Sequence, residues 1–299
     1  MSNPVASVLT TCYNRADFVA ETIESVLAQS FEDFEYIIVD DGSTDGSFDV
    51  ILDYAKRDSR IQAYQNKANL GDYPNRNKAA SYAKGKYLKY IDSDDILYPH
   101  ALDVCVRYME QFPNAGLGLT KLHTQERPLP ELLSPVEAYQ RHFLSGGLFS
   151  NAPGSSVIRR SSFEEVNGFS GARMIGDFEM WMKLGRKFDV ALLPGLINWD
   201  RQHPGQESNF DEMEYACLRL KVSREALAQE DCPLTPQDSE TAELLMRESA
   251  ARLGVQAIRK LAFRRAFRFA QKSQCGISGL ARAVFSMRPR VSLPARRKI

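Results

Sequence analysis

Four apolar, β-favouring stretches alternate with helical patterns over the first third of the chain. The stretches are 5–10, 34–39, 60–65 and 86–91, and apolar residues at helical spacing separate them. Strands that alternate with helices favour a parallel sheet with right-handed crossovers. The sequence therefore predicts a doubly wound α/β fold, with a mostly parallel, Rossmann-like sheet flanked by helices.

Polar clusters follow three of these predicted strands. They occupy residues 10–14, 40–45 and 92–95. In parallel α/β sheets, ligands bind outside the carboxyl ends of the strands. Because the three clusters fall at those ends, we expect them to meet at one edge of the sheet and to form a single site.

The third cluster, Asp92-Ser93-Asp94-Asp95, concentrates negative charge. Two like charges about 4 Å apart repel by about 1 kcal/mol in water and by about 4 kcal/mol near a protein surface. A hard divalent cation with oxygen ligands would turn this repulsion into binding. The alternative is that Asp92 ends a strand, Ser93 turns the chain and the other two acids cap the next helix.

Several single residues near this edge have two interpretations each. Asn14 is placed to cap the first helix, with Asp17 three residues later. Tyr13 belongs either to the core or to a stacking platform. Asp41 either caps a helix through an Asx turn or hydrogen-bonds a base or ribose. Arg76 lies at a predicted helix start, where the helix dipole disfavours a cation, so an anion such as a diphosphate would explain it.

Two residues of the second half are further candidates. Asp177 precedes a helical pattern and is either an N-cap or a general base for a hydroxyl acceptor. His203 is a lone histidine in a predicted loop, where a structural role is more common than metal ligation. The nucleotide-binding motifs Gly-x-Gly-x-x-Gly and Walker A are absent, which disfavours a dinucleotide site and a P-loop.

The charge is divided unequally along the chain. Residues 251–299 contain 13 Lys and Arg and no acid, whereas residues 1–250 carry a net charge of −13. Together with long helical patterns after about residue 210, this predicts two parts, 1–210 and a helical, basic C-terminal extension, 211–299. Arginines interleave with aromatics in 259–270, which indicates either a helix on an anionic membrane surface or a helix packed on the protein. No nucleic-acid motif accompanies the charge, so we expect no nucleic-acid partner.

The cysteines and the hydropathy point to a cytoplasmic protein. The five cysteines are scattered and odd in number, so neither a zinc site nor a disulfide framework is expected. The first residues lack the basic and apolar regions of a signal peptide. We expect a cytoplasmic location, with the basic extension as the means of peripheral attachment to the inner face of the membrane. The sequence leaves the oligomeric state open.

The ordered set of motifs resembles the inverting glycosyltransferases of family 2, which have the GT-A fold. The matching stretches are 7–15, 39–46, 69–71 with Arg76 and Asn77, and 92–95. The resemblance covers about residues 1–205. It implies metal-dependent, inverting transfer from a UDP- or dTDP-sugar to a hydroxyl of a glycan or lipid-linked acceptor, in the biosynthesis of a surface polysaccharide.

The resemblance also implies roles for individual residues. Asp177 matches the catalytic base, although Gly176 stands where the family usually has Glu. Asp94 matches a ligand of Mn²⁺ or Mg²⁺, and His203 falls where many members carry a histidine near the metal. The residues that match the nucleotide-sugar pocket are Thr11, Tyr13, Asn14, Arg15, Asp41, Arg76, Asp92 and Ser93.

Two other functions stay open from the sequence alone. A nucleotidyltransferase also uses an α/β fold and an acid-bound metal, but it normally needs a Gly-rich, basic loop after the first strand, which residues 11–15 do not supply. A non-catalytic module that binds nucleotide sugars and docks through its basic tail is the second alternative, which Gly176 keeps open.

Overall fold

The computed structural model describes residues 3–120, 128–205, 211–259 and 263–273. The strands in this part of the chain are β1 (Ala6–Cys12), β2 (Phe34–Asp40), β3 (Ile61–Gln65), β4 (Tyr87–Tyr90), β5 (Ile96–Leu97), β6 (Ala115–Leu119), β7 (Glu131–Leu133), β8 (Ser156–Arg159), β9 (Asp189–Leu192) and β10 (Asn198–Trp199). The helices are α1 (Val19–Leu27), α2 (Ser47–Ala55), α3 (Asp72–Tyr82), α4 (Ala101–Gln111), α5 (Pro135–Leu144), α6 (Arg160–Glu165), α7 (Gly176–Lys187), α8 (Glu212–Leu227), α9 (Pro236–Arg259) and α10 (Phe263–Lys272).

Eight of these strands form one central sheet in the order β3-β2-β1-β4-β8-β6-β9-β7. The half formed by β3, β2, β1 and β4 is parallel throughout, as the sequence predicts. Strand β8 inserts antiparallel between β4 and β6, and β7 is antiparallel to β9 at the far edge. Strands β5 and β10 pair antiparallel in a separate two-stranded sheet.

The sheet is covered on both faces, which explains why its strands are apolar almost throughout. Along β1, Val8 packs into one hydrophobic cluster and Leu9 into the other. Tyr36 and Ile37 divide in the same way along β2. Successive side chains of a strand point to opposite faces, so a strand buried on both sides has no polar alternation.

Two helix starts differ from the sequence-based expectation. Helix α1 begins at Val19 with Phe18 as its N-cap, so the prediction that Asn14 caps it is wrong. Asn14 instead adopts a positive φ of 52°, which asparagine tolerates better than most residues. Helix α3 begins at Asp72, four residues before the expected start.

The helical extension packs on the main fold within the described residues. Val222, Ala226, Leu234 and Ala242 belong to the same hydrophobic cluster as the core side chains of α5 and α7. The predicted boundary at residue 210 stays a prediction. Of the basic stretch 251–299, residues 260–262 and 274–299 lie outside the described residues. Among the described helices, none combines the length and the hydropathy needed to cross a bilayer.

Candidate functional site

Two loops at the carboxyl edge of the sheet, after β1 and β2, are joined by hydrogen bonds. The backbone N–H of Asn14 donates to Ser43 Oγ at 2.9 Å, and Thr44 N–H donates to Asn14 Oδ1 at 2.9 Å. The backbone N–H of Arg15 donates to Ser47 Oγ at 2.7 Å. These bonds fix the backbone that carries Tyr13 and Arg15 at the mouth of the site.

Asp94 lies at the centre of the acidic loop that follows β4. Its Oδ2 accepts a hydrogen bond from Arg15 Nε at 2.8 Å and contacts His203 Nε2 at 3.0 Å. Its backbone carbonyl accepts from Arg201 Nε at 2.8 Å. Residues far apart in sequence thus converge on Asp94.

The bonds of His203 define which ring nitrogen carries the proton. Gly205 N–H donates to His203 Nδ1 at 3.2 Å, so Nδ1 acts as an acceptor. In a neutral imidazole the other nitrogen then carries the hydrogen, and Nε2 donates to Asp94. In this arrangement His203 orients the carboxylate. Its ring also packs against Phe18, with the ring centroids 4.7 Å apart.

Arg201 is a site residue that the sequence analysis did not identify. Its backbone N–H donates to Asp95 Oδ1 at 2.9 Å, and its guanidinium lies about 5 Å from the ring centroids of Phe18 (5.1 Å) and Trp199 (5.0 Å). The side chain therefore braces the acidic loop from the side of β10. No periodic pattern marks Arg201, because β10 has only two residues.

Asp92 belongs to a second cluster, which is organised by a buried arginine. Arg76 Nη2 donates to Asp92 Oδ1 at 2.6 Å, and Arg76 Nε donates to Asp72 Oδ1 at 2.7 Å. Arg76 is only 6% exposed. In the part of the chain that the structure describes, its Nη1 is buried without a hydrogen-bond partner. An oxygen-rich ligand beside Asp92 would satisfy this donor.

Asp72 is a second site residue that the sequence analysis did not identify, although its spacing from Arg76 could have indicated it. An acid and an arginine four residues apart can pair on one face of a helix, and an acid suits the first turn of a helix. Asp72 occupies the first position of α3, and Arg76 follows at that spacing. The acid explains why an arginine is tolerated close to the N-terminal end of this helix.

Asp177 lies in the first turn of α7, half-buried and close to the Arg76 cluster. Burial raises the pKa of its carboxyl, while the Phe178 N–H, the nearby Arg76 and the Tyr73 hydroxyl lower it. The net pKa shift is upward. A carboxylate whose pKa is raised is a stronger proton acceptor than an exposed one, which suits a general base.

Asp41 is bound to the loop that precedes α3. Its carboxylate accepts from Asn66 Nδ2 at 2.7 Å, and from the backbone N–H groups of Leu70 and Gly71, each at 2.9 Å. The side chain therefore shapes that loop directly. Leu70 is 47% exposed, and Tyr13, from the neighbouring loop, is 45% exposed.

The remaining predicted pocket residues lie at the ends of β1 and β4. Thr11 is the penultimate residue of β1 and is partly exposed. Ser93 is buried beside the thiol of Cys12. Burial, together with the charge of Asp92, raises the pKa of Asp95 to about 8. Asp95 is therefore a buried structural acid, bonded to Arg201, rather than a ligand contact.

The donor set around Asp94 fits a metal that is shared with a ligand. Among the described residues, no three or more His, Cys, Asp or Glu side chains are grouped as a metal cage. Mg²⁺ is usually bound through one or two carboxylates, substrate phosphates and water, so a single Asp94 carboxylate beside a diphosphate is sufficient. For His203 to join it through Nε2, the bond from Gly205 to Nδ1 must be released.

The chain is similar to known proteins in both sequence and fold. A model described as "Glycosyl transferase family 2" matches residues 7–167. Over 224 residues, the chain is 35% identical to an uncharacterised glycosyltransferase of Rickettsia felis, which covers 73% of this chain and 36% of that protein. Over 92 residues it is 46% identical to TuaG of Bacillus subtilis, described as a putative teichuronic acid biosynthesis glycosyltransferase, covering 31% of this chain and 36% of TuaG.

A third relative, the putative glycosyltransferase EpsE of Bacillus subtilis, is 30% identical over 194 residues, which are 61% of this chain and 67% of EpsE. The matched part spans little more than a third of the length of several curated relatives, 36% to 39%.

Solved structures share the fold. TarS of S. aureus, residues 1–349 in complex with UDP-GlcNAc, superposes with a TM-score of 0.62 at 18% identity, over 81% of this chain and 70% of that one. The mannosyltransferase PcManGT of Pyrobaculum calidifontis, in complex with GDP-Man and Mn²⁺, gives a TM-score of 0.61 at 14% identity, over 96% of this chain and 89% of that one. The architecture is therefore of the GT-A type, as the sequence predicts.

Proposed function

Because the chain belongs to glycosyl transferase family 2, we propose that it transfers a sugar from a nucleotide diphosphate sugar to a hydroxyl group, with inversion at the anomeric carbon. The observation that carries the proposal is the convergence of Arg15, Asp94 and His203 in one cluster, and of Arg76, Asp92 and Asp177 in another, at the carboxyl edge of the sheet. This is the edge at which α/β sheets bind ligands.

The nucleotide is proposed to lie across the loops after β1 and β2. The exposed ring of Tyr13 is available to stack on the base, beside the loop that Asp41 holds. Thr11 and Asn14 line the same pocket. Asp92 accepts from the ribose, and Ser93 keeps the backbone of the acidic loop turned toward it. UDP- and dTDP-sugars are the favoured donors, as the sequence resemblance implies.

The diphosphate is proposed to approach Asp94. Arg15 supplies a guanidinium at this position, and Arg76 supplies the unpartnered Nη1 beside Asp92. A Mn²⁺ or Mg²⁺ ion held by Asp94, with His203 adjacent, would neutralise the leaving diphosphate. Guanidinium groups suit this task because they bind phosphate oxygens through several donors at once.

Asp177 is proposed as the base. The acceptor hydroxyl oxygen attacks the anomeric carbon on the side opposite the diphosphate, and the bond from that carbon to the diphosphate oxygen breaks. The hydroxyl proton passes to the Asp177 carboxylate. Since one displacement occurs, the configuration at the anomeric carbon inverts, and no second nucleophilic carboxylate is needed. A positioned base typically contributes about 10²–10⁴-fold to the rate.

The acceptor is proposed to be a glycan or a lipid-linked glycan of a surface polysaccharide. The relatives support this class, since TuaG is described as acting in teichuronic acid biosynthesis. The basic stretch 251–299 would hold the protein at an anionic membrane surface, where a lipid-linked acceptor is found. Flotation with vesicles that contain anionic lipid tests this part, and equal partitioning of the full chain and of a chain ended after residue 250 would reject it.

A donor screen tests the proposal as a whole. The full chain is incubated with UDP-, dTDP- and GDP-sugars, with and without Mn²⁺, and thermal stability and donor hydrolysis are measured. We expect one donor to raise the melting temperature and to be hydrolysed in a metal-dependent manner. If no nucleotide sugar gives a metal-dependent response, the proposed donor site is wrong.

A further inference from the structure

Gly176 and Tyr73 are packed so closely that a side chain at position 176 would overlap the ring of Tyr73. A Cβ built on Gly176 would lie 2.7 Å from Tyr73 Cδ2 and 2.8 Å from Cε2 and Cγ. Real Cβ atoms essentially never approach that closely, so the ring of Tyr73 occupies the space of any side chain at position 176. The φ angle of Gly176 is outside the left-handed region, so the tyrosine ring is the obstacle to a larger residue rather than the backbone.

Tyr73 is held firmly in that place. It lies in the first turn of α3 and is 6% exposed. Its ring packs against Phe169 with the centroids 5.2 Å apart, and Phe169 in turn packs edge-on against Tyr90. The backbone of Phe169 is fixed by Asn77, which accepts from Phe169 N–H at 2.9 Å and donates to its carbonyl at 2.8 Å. The ring is therefore a rigid wall against the start of α7.

The hydroxyl of Tyr73 faces Asp177. A hydrogen bond from it favours the charged form of the Asp177 carboxyl and lowers its pKa, against the larger effect of burial. Burial and the charge of Asp177 raise the pKa of Tyr73 itself well above its usual value. The phenol therefore keeps its proton, and its oxygen also accepts a hydrogen bond from the backbone N–H of Asp177.

The charged groups around Asp177 come from α3, the helix that also carries Tyr73. Arg76 lowers the pKa of the carboxyl and Asp72 raises it. These two charges oppose each other, and they are already paired with one another at 2.7 Å. The neutral hydroxyl of Tyr73 is thus the group whose removal changes the environment of Asp177 without adding or removing a charge.

We propose that Tyr73 is a positioning residue for the base: its ring, seated on Gly176, sets the direction of the first turn of α7, and its hydroxyl orients the Asp177 carboxyl toward the site. This inference rests on the proposed role of Asp177 in sugar transfer. It explains why glycine precedes the acid, since any side chain there would displace the ring that orients the base.

Tyr73→Phe is the first test, because it keeps the ring and removes only the hydroxyl. Without the donor, the pKa of Asp177 rises, because a hydrogen bond to the charged form of a carboxyl favours that form. We expect the acidic limb of the profile of kcat/KM against pH to move to higher pH, with the KM for the donor unchanged.

Tyr139→Phe is the matched control. Tyr139 is fully buried, and its hydroxyl donates to the carbonyl of Met182, on the same helix as Asp177. This variant loses a buried phenol bond of the same kind, but not the one that reaches Asp177. It is expected to lower stability by a similar amount and to leave the pH profile in place. A general loss of packing would affect both variants alike.

A titration that does not depend on activity separates this inference from the proposed function. The carboxyl carbon of Asp177 is followed by NMR in protein labelled at the aspartate carboxyls, and its signal is assigned by its loss in Asp177→Asn. A pKa that is higher in Tyr73→Phe than in the unmodified protein, and unchanged in Tyr139→Phe, supports the inference even if no donor is turned over. An Asp177 pKa that is the same in Tyr73→Phe and in the unmodified protein would overturn it.

Gly176→Ala is a second variant that should separate the Tyr73 hydroxyl from Asp177. The added methyl group must push the Tyr73 ring away, so the hydroxyl leaves Asp177 while remaining in the protein. We expect an upward shift of the Asp177 pKa similar to that in Tyr73→Phe, together with a lower melting temperature. A well-folded Gly176→Ala protein with an unshifted pKa would contradict the packing argument.

Discussion

Arg15 and Asp94 form an ion pair, with 2.8 Å between Nε and Oδ2, that joins the loop after β1 to the acidic loop after β4. The pair places a cation of the chain itself beside the carboxylate that is proposed to hold the metal. The chain itself therefore supplies, through Arg15, a counter-charge for the acidic loop. The same Arg15 donates to the carbonyl of Gly205 at 3.1 Å, so it also connects the loop that carries His203.

Asp94→Asn is predicted to remove the metal dependence of donor binding. The amide keeps an oxygen for Arg15 but loses the charge that a hard cation needs. We expect the gain in donor affinity on adding Mn²⁺ to fall by at least about tenfold, by analogy with the size of effects at metal sites. Calorimetric titration of the donor, with and without Mn²⁺, measures it.

Asp103→Asn is the control for that experiment. Asp103 is on the exposed surface of α4, in an ion pair with Arg107. The variant removes the same charge at a distance from the site, and its metal response should match that of the unmodified protein. An unchanged response in Asp94→Asn as well would place the metal elsewhere.

Arg76→Leu is predicted to destabilise the protein. The variant leaves Asp72 and Asp92 without their shared partner, and breaking a buried ion pair costs about 3–5 kcal/mol. The two acids are partly exposed (29% and 32% for their side chains) and can recover some hydration, so we expect a loss of about 2–3 kcal/mol. Urea denaturation measures the change.

Arg107→Leu is the matched comparison. Arg107 pairs with Asp103, four residues before it, as Arg76 pairs with Asp72. The side chain of Arg107, however, is 62% exposed on the surface of its helix. Exposed pairs of this kind contribute about 0.3–0.5 kcal/mol. Equal losses in the two variants would show that the Arg76 pairs are no stronger than surface ones.

His142 is predicted to make the protein sensitive to mild acid. Burial lowers the pKa of His142 to about 3, and its Nδ1 accepts from the N–H groups of Leu148 and Phe149. In the unfolded chain a histidine has a pKa near 6.5. Between these values the unfolded state binds more protons, so stability falls as pH falls from about 6.5 toward 3.

The expected loss at pH 5, relative to pH 8, is about 2 kcal/mol, from 1.36 kcal/mol per pH unit. In His142→Gln this part of the pH dependence should disappear, whatever the absolute stability. In His100→Gln, which changes an exposed histidine, it should remain. Denaturation curves of the three proteins at several pH values measure the slopes, and parallel slopes for His142→Gln and the unmodified protein would refute the assignment.

A chain ended after residue 210 is predicted to lose cooperative folding. The extension contributes Val222, Ala226, Leu234 and Ala242 to the cluster that packs on α5 and α7. Burying a Val or Leu side chain stabilises a protein by about 1.5–3 kcal/mol. Removing the extension would lose this burial and would expose the face of α7 that packs against it. Thermal unfolding tests this, and a shortened chain with the melting temperature of the full chain would show that residues 1–210 fold independently.

The carboxyl edge of the sheet was predictable because its signals are local. Each of the clusters at 10–14, 40–45 and 92–95 directly follows an apolar stretch, and the parallel topology then brings them together. The parallel arrangement of β1, β2 and β4 was thus expected from the sequence. The antiparallel insertion of β8 between β4 and β6 was not, because pairing between distant strands leaves no periodic trace in a single sequence.

The partners of the site residues were less predictable for the same reason. Arg76 was identified, but its burial between two acids was not, since burial depends on the packing of α3 against β1 and β2. The contact between Tyr73 and Gly176 joins residues about a hundred positions apart and rests on shape alone. Asn14 misled the prediction of the start of α1, because its side chain bonds Thr44 from another loop and not the helix that follows.

The most direct test of the account is to measure donor binding and sugar transfer in the same samples of Asp177→Asn. The variant keeps the shape of the site and the bonds around Asp94, but its amide cannot accept the acceptor proton. We predict that the Kd of the donor stays within about threefold, while the rate of transfer, or of hydrolysis with water as the acceptor, falls by about 10²–10⁴-fold. Transfer near the rate of the unmodified protein would contradict the assignment of Asp177 as the base.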